Sequence, residues 1–430
     1  MPTRRDFLTT AAGALAAAPT LALARPALAS MMEELAAATG SPDEIARDED
    51  FWARAQLAFT VDRSIINLNN GGVSPAPATV QDAMRRHLDF SNECPPHNMW
   101  HILEPQREQV RDRLARQWGV DAEEIAITRN ASEGLQICQL GFDLSAGEEV
   151  LTTTQDYGRM VNTFKQRVRR EGIRLNQFKI PVPCEDDDEI VRLFESNITA
   201  RTKLILMCHM INLTGQILPV AKVVKMARGY GIPVIVDGAH ALAHFDFKLS
   251  DLGCDYYATS LHKWLFAPHG TGLLYVRKEK IKDLWPLMAA ADTQDEDIRK
   301  FEEIGTHPAA NFLAIAEALT FHQALGGARK AARMVHLREH WMDRLGAHDR
   351  VSFNTSRTPG FACGIANVRI DGLETSDLQS WLWKQKRILT VAINHDEFNG
   401  LRVSPSVFTT HEELDRFCDA VEMAMRVGIG

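Results

Sequence analysis

Three features of the sequence predict an α/β fold with a large, mostly parallel sheet and a smaller α+β domain at the C-terminus. Short unbroken apolar runs at 125–128, 150–153, 204–207 and 234–236 have the pattern of strands buried on both faces. Stretches of helical length separate them, and the order strand, helix, strand implies a parallel sheet with right-handed crossovers. The run at 234–236 ends in Asp237, a carboxylate at the carboxyl end of a strand, where open α/β sheets gather their ligands.

At 430 residues the chain is long enough for two lobes. A hydrophobic content of 45% and a charged content of 24% match an ordinary soluble enzyme. The net charge of −8 argues against a nucleic-acid footprint. Residues 1–29 are expected to be a signal peptide. Thr3-Arg4-Arg5-Asp6-Phe7-Leu8 matches the twin-arginine pattern, and Ala27-Leu28-Ala29 suits a signal peptidase, with Ala22-Leu23-Ala24 as the alternative. The expected partner is therefore the twin-arginine export machinery, and the destination is the periplasm, with no membrane segment in the mature form. The seven cysteines are scattered and odd in number, which argues against a full disulfide framework.

In chain order, residues 30–64 read as a helical N-terminal arm packing on the small domain, 65–325 as the large domain and 326–430 as the small one. The run Ile65 to Pro75 is a short strand entering an Asn/Gly turn. Residues 103–118 carry Val110, Leu114 and Trp118 at helical spacing. After the strand at 125–128, the polar turn Arg129 to Glu133 opens a new helix, whose free N–H groups and dipole suit an anion. Strands follow at 150–153, 204–207, 256–258 and 273–276, then a helix at 311–325. The small domain is expected to hold helices near 331–346 and 375–386 and strands near 363–370 and 400–404.

The stretch from Pro233 to Arg277 carries the chemistry. Asp237, Ala239 and His240 close one strand, and Ser260, His262 and Lys263 follow the next. A lysine able to hold an aldehyde covalently, with a strand-end carboxylate able to keep a pyridine nitrogen protonated, suits pyridoxal 5'-phosphate (PLP). The pattern Asp-x-Ala-(His/Gln), then Ser-x-His-Lys about two dozen residues on, resembles the class V aminotransferase family. That family includes cysteine desulfurases, kynureninases and isopenicillin N epimerase.

The resemblance runs over residues 60 to 425 and implies a homodimeric fold-type-I PLP enzyme, nearest the epimerase-like branch. It makes Lys263, Asp237 and Tyr157 the expected catalytic residues. Tyr157 would stack on the ring, with Asp156 as the alternative by one position. Ala131, Ser132, Ser260 and His262 would meet the phosphate, Asn212 the phenolic oxygen, and His240 the cofactor. Thr306, in the Gly305-Thr306 loop, would reach the partner subunit's phosphate. Asn70 would touch the substrate, and Arg402 would clamp its α-carboxylate.

A metal reading fails at His240 and His244, because Ala241 stands where a zincin needs Glu. A non-enzymatic exported protein is disfavoured because every expected PLP position is filled. The stretch KRILTVAINHDEFNGL before Arg402 holds no Cys, where desulfurases carry theirs. The expected substrate is an amino acid or small peptide attacked at Cα. Epimerisation or transamination is expected first, with C–S lysis or an oxidative decarboxylation of the siderophore-maturing kind as alternatives.

Overall fold

The computed structural model describes residues 30–429, so the twin-arginine stretch lies outside the described residues. Residues 30–37, Pro42–Ala46 and Glu49–Gln56 form three short helices. Ser41 and Glu44 make a reciprocal capping box on the second, and Asp48 caps the third. Leu35, Phe51 and Trp52 are buried. The arm docks on the helix Gly327–Leu345, where Arg333 ion-pairs with Glu49 and donates to Ala46 O, while Arg329 donates to Leu35 O.

The large sheet has seven strands: β2 (Ile125–Thr128), β3 (Glu149–Thr153), β4 (Arg174–Phe178), β5 (Thr202–Cys208), β6 (Val234–Asp237), β7 (Tyr256–Ser260) and β8 (Gly272–Val276), following a short β1 (Ile66–Asn67). Their spatial order is β2-β8-β7-β6-β5-β3-β4. The run from β7 to β4 is parallel, and β8 is antiparallel to both of its neighbours. Helices cover both faces, so β2, β3, β6, β7 and β8 are buried along their whole length, as their apolar runs require. Close packing demands glycine at several places, two of them beside β7. A Cβ on Gly134 would stand 2.9 Å from that of Ala258, and one on Gly238 would lie 2.0 Å from the Tyr257 ring.

The C-terminal part is an antiparallel sheet ordered β12-β13-β10-β9, with β9 at Val351–Phe353, β10 at Ala366–Ile370, β12 at Val391–Asn394 and β13 at Asn399–Val403. The remaining strand, β11 (Ile388–Leu389), pairs parallel with β1. Trp341, Phe417 and Val421 from two long helices close its core over Val368 and Leu401. The β1–β11 pairing and an Asn69–Ser404 bridge carry residues 67–72 across to this lobe.

Several boundaries differ from the sequence expectation for local reasons. The helix expected from 103 begins at Arg107, after a π turn at Asn98–Leu103 and a 3-10 turn that contains Pro105, whose missing N–H breaks the ladder. The helix at 311–325 is two helices, Ala309–Leu313 and Ile315–Leu325. The strand near 363 starts only at Ala366, since Gly364 N is taken by His244 Nε2. β4 was not anticipated, because RLNQF is a polar, half-exposed edge strand without an apolar run.

Glu302 ties the first strand of the sheet to its surroundings. Its carboxylate accepts from Arg111 at 2.7 and 2.9 Å, from Arg107 at 3.0 Å and from Ile127 N at 2.6 Å. Arg111 and Glu302 are both buried, so removing the carboxylate leaves the guanidinium with only the half-exposed Glu108 as counter-charge and orphans Ile127 N. We expect Glu302→Ala to lower unfolding free energy by about 1–3 kcal/mol, the cost of buried donors left unmatched, read by urea denaturation. An unchanged midpoint would mean that the ion pair does not hold β2 in place.

Candidate active site

A cavity of about 360 Å³ opens at the carboxyl ends of β5, β6 and β7. Ten of the expected residues line it: Ala131, Ser132, Tyr157, Asn212, Asp237, His240, Ser260, His262, Lys263 and Arg402.

One end is built for an anion. The helix Ala131–Gly141 points its N-terminus into the cavity, and Asn130 caps it by accepting from Glu133 N at 2.9 Å. Ser260 Oγ accepts from Ala131 N at 3.0 Å, which fixes β7 against the helix start. Arg129 N donates to Glu133 at 2.6 Å, so the turn is locked from both sides. His262 pairs through Nδ1 with Thr271 O at 3.1 Å. Burial brings its pKa down to about 4, so the ring is neutral until an anion stands against it.

The middle of the cavity holds an amine and a carboxylate. Lys263 Nζ lies 2.9 Å from His240 Nε2. Burial, partly offset by the attraction of Asp237, brings the lysine down to about 8. Burial and the adjacent ammonium hold His240 neutral, well below the usual histidine range. Asp237 is buried and accepts only from Ala239 N at 3.0 Å, and desolvation pushes it up to about 6. A carboxylate this poorly solvated calls for a partner that carries a proton and a positive charge.

Arg402 enters from β13. Its guanidinium donates to Asn212 O at 3.1 Å and to Asn69 Oδ1 at 2.8 Å, and no carboxylate among the described residues pairs with it. Burial brings it down to about 10. Three buried polar atoms of the lining, His240 Nδ1, Asn212 Oδ1 and Arg402 Nε, have no partner among the described residues. Buried polar atoms are rarely left so, and all three belong to residues that line the cavity. An amine, a carboxylate, a helix N-terminus with two hydroxyls, and a free guanidinium together fit PLP with an amino-acid carboxylate beside it.

Two expected residues lie elsewhere. Asn70 is fully buried, and its Nδ2 donates to Asn67 O at 2.8 Å and Ser404 O at 3.1 Å, so it locks the turn instead of meeting substrate. Its neighbour Asn69 holds Arg402, and Gly71 and Gly72 line the cavity in its place. In an Asn-Asn-Gly-Gly turn nothing in the sequence distinguishes the two amides. Thr306 lines a separate cleft of about 660 Å³ with Arg107, Arg299 and Glu302, outside the cavity of its own chain. Of the two candidates for the ring face, Tyr157 lines the cavity. Asp156 turns inward, its Oδ2 accepting from Thr152 Oγ1, Thr153 N and Thr153 Oγ1.

Other ionisable groups nearby are committed. His209 is neutral, brought down to about 3 by burial, with Nδ1 3.3 Å from Tyr257 Oη. Both nitrogens of His244 are used, by His240 O and Gly364 N, and its ring stacks on Trp264 at 3.8 Å. Among the described residues, the one group with metal-ligand spacing is Glu49, His336 and His411, which shares no residue with the cavity. Cys208 lines the cavity, but burial and the nearby carboxylates Asp156 and Asp237 push its thiol well above the usual range.

Comparison with known proteins agrees with this geometry. The family model "Aminotransferase class-V" matches residues 66–417. The chain belongs to the class V aminotransferase family. It is 30% identical to an isopenicillin N epimerase of Streptomyces clavuligerus over 396 residues, covering 86% of this chain and 98% of that one. It is 24% identical to a cysteine desulfurase of Haloferax volcanii, covering 84% and 89%. A solved cysteine desulfurase from Escherichia coli superposes with a TM-score of 0.76 at 20% identity, covering 87% of this chain and 98% of that chain. The fold is that of fold-type-I PLP enzymes, the chain is an enzyme of this family, and PLP is its cofactor.

The electrostatics give a signed test in cofactor-free protein. Lys263 should react with an amine-selective reagent with a midpoint near pH 8, against about 10.4 for surface lysines. The Asp237 charge raises the lysine's pKa, so Asp237→Asn should move that midpoint to lower pH. A midpoint that stays put, or one near the surface value, contradicts this reading of the pair. Peptide mass mapping after pH-stepped labelling measures both.

Proposed function

We propose that this class V enzyme removes a proton from Cα of an amino acid or small peptide, leading to epimerisation or transamination. The observation that carries the reading is a neutral-capable Lys263, 2.9 Å from a neutral His240, in a cavity without a reactive thiol. The loop between β12 and β13 holds no cysteine, and every cysteine other than Cys94 is buried. A thiolate nucleophile needs an exposed, electropositive setting, and none of the buried ones has it.

Lys263 would hold the cofactor's aldehyde end, Asp237 its ring nitrogen and Asn212 its phenolic oxygen. The Ala131 helix end, with Ser132, Ser260 and His262, would hold its phosphate. PLP bound there draws electrons from the bonds at Cα and makes the Cα proton acidic. Asp237 keeps a positive ring nitrogen favourable in a site that would otherwise expel charge. Lys263 Nζ takes the proton, and His240 Nε2 is placed to accept one from the amine. Arg402 meets the substrate carboxylate with a planar, unpaired guanidinium. Transamination needs only Lys263, which returns the proton one carbon away, whereas epimerisation needs a second acid on the opposite face.

Incubation with amino acids in deuterated water, followed by chiral and keto-acid analysis, decides the reaction. Deuterium at Cα of an inverted amino acid, or a keto acid that retains the substrate's side chain, supports the reading. Release of sulfide from cysteine or of pyruvate from β-substituted substrates, without either product, would instead favour the C–S lyase chemistry suggested by the desulfurase relatives.

Lys263→Ala should lose borohydride trapping of the cofactor, and kcat should fall by about 10²–10⁴-fold. Trapping on another lysine would refute the assignment. Arg402→Lys should raise KM for α-carboxylate substrates about ten- to a hundredfold, since charge-assisted bonds are lost. An unchanged KM would remove Arg402 from the substrate site.

We also infer a homodimer in which Thr306 completes the partner's phosphate site, together with periplasmic delivery through the twin-arginine pathway. Sedimentation with PLP titration of Thr306→Ala tests the first. Fractionation of cells carrying Arg4→Lys/Arg5→Lys tests the second.

A further inference from the structure

Among the described residues, Tyr157 is the only Phe, Tyr or Trp in the cavity lining, and the turn that carries it is gripped by a loop from the other lobe. That loop, residues 395–398, joins β12 to β13, and β13 carries Arg402 into the same cavity. Glu397 accepts from Thr154 Oγ1 with one carboxylate oxygen and from Gln155 Nε2, at 3.1 Å, with the other. His395 Nε2 lies 3.0 Å from Thr154 O, and its Nδ1 accepts from Glu397 N at 3.3 Å. That second bond sets the tautomer, so Nε2 bears the hydrogen and donates to the carbonyl.

From the inside, Gln155 spends its other amide hydrogen on Ile180 O at 2.7 Å, and Asp156 binds back to the end of β3. The three residues before Tyr157 are therefore fixed from both sides. Tyr157 itself, 40% exposed, makes no side-chain hydrogen bond to hold it. Its placement rests on the turn. The same short segment that grips this turn also delivers Arg402, five residues after Glu397. A loop clamped in this way is a strut, in contrast to a mobile carrier of a nucleophile.

We propose that Glu397, with His395, is a positioning residue for Tyr157, and that the loop couples this aromatic wall to the carboxylate anchor Arg402. The inference rests on the reading of the cavity as the PLP and amino-acid site. Displacing the loop shifts two groups at once, the wall along the cofactor ring and the anchor for the substrate. Specificity follows, because substrates must fit between two groups whose separation one carboxylate sets.

The test uses the PLP-loaded full chain and a double-mutant cycle of Glu397→Ala with Tyr157→Ala, read by PLP dissociation constant and by the cofactor's absorption band. Glu397→Ala should weaken PLP binding by about three- to tenfold and shift the band, and should raise KM more than it lowers kcat. In the Tyr157→Ala background it should leave PLP affinity nearly unchanged, because it acts through Tyr157. Glu397→Gln, which keeps an acceptor for Thr154, should retain part of the effect. If Glu397→Ala does not fold, Thr154→Val removes a single hydroxyl and should show a smaller effect of the same kind.

Additive losses in the cycle, or wild-type affinity and spectrum in Glu397→Ala, overturn the coupling. Failure of the wild-type chain to bind PLP would instead refute the cofactor reading on which it rests.

Discussion

The structure depends on keeping charge buried at the ends of three parallel strands without a full set of protein counter-charges. Asp237 has one hydrogen bond, Lys263 leans on a neutral imidazole, and Arg402 has only a carbonyl and an amide. Each is shifted toward its neutral form by desolvation. Such a site is costly when empty and satisfied by a ligand carrying a cationic ring nitrogen, a carbonyl carbon and a carboxylate. The rest of the fold supplies the rigidity that keeps these groups from relaxing away.

That rigidity has two sources. The parallel strands fix Asp237, Ser260 and Lys263 relative to the helix beginning at Ala131, with Gly134 and Gly238 allowing the close approach. The second lobe fixes Arg402 and, through Asn69 and Ser404, the turn that lines the mouth. Contact between lobes at Glu397 and Thr154 joins the two. The cavity lining thus comes from both lobes, with Arg402 supplied by the smaller sheet.

Much of this was legible in the residues. Buried strands announce themselves by unbroken apolar runs, and those at 125–128, 150–153, 204–207 and 234–236 recur as β2, β3, β5 and β6. The edge strand β4 was not legible, since RLNQF lacks that run. Ten of twelve expected site residues meet in one cavity, because motif residues sit at strand ends whose direction the topology dictates. Asn70 was expected at the substrate but is buried in the turn, because its side chain bonds to Asn67 O and the distant Ser404 O, a partner no local pattern reveals. The choice between Asp156 and Tyr157 needed the observation that Thr152 and Thr153 draw the carboxylate back.

By itself, the sequence determined the fold class, the lysine and carboxylate of the site, and the absence of cysteine from the stretch before Arg402. These are properties of residue type and local spacing, which secondary structure converts directly into position. Tertiary structure alone decided which atoms remain unpaired around the cavity, how far burial moves each pKa, and that Glu397 grips the turn of Tyr157. Glu397 and Thr154 are more than two hundred residues apart in the chain. No local pattern links them, and their meeting follows only from packing the small antiparallel sheet against the carboxyl edge of the large one.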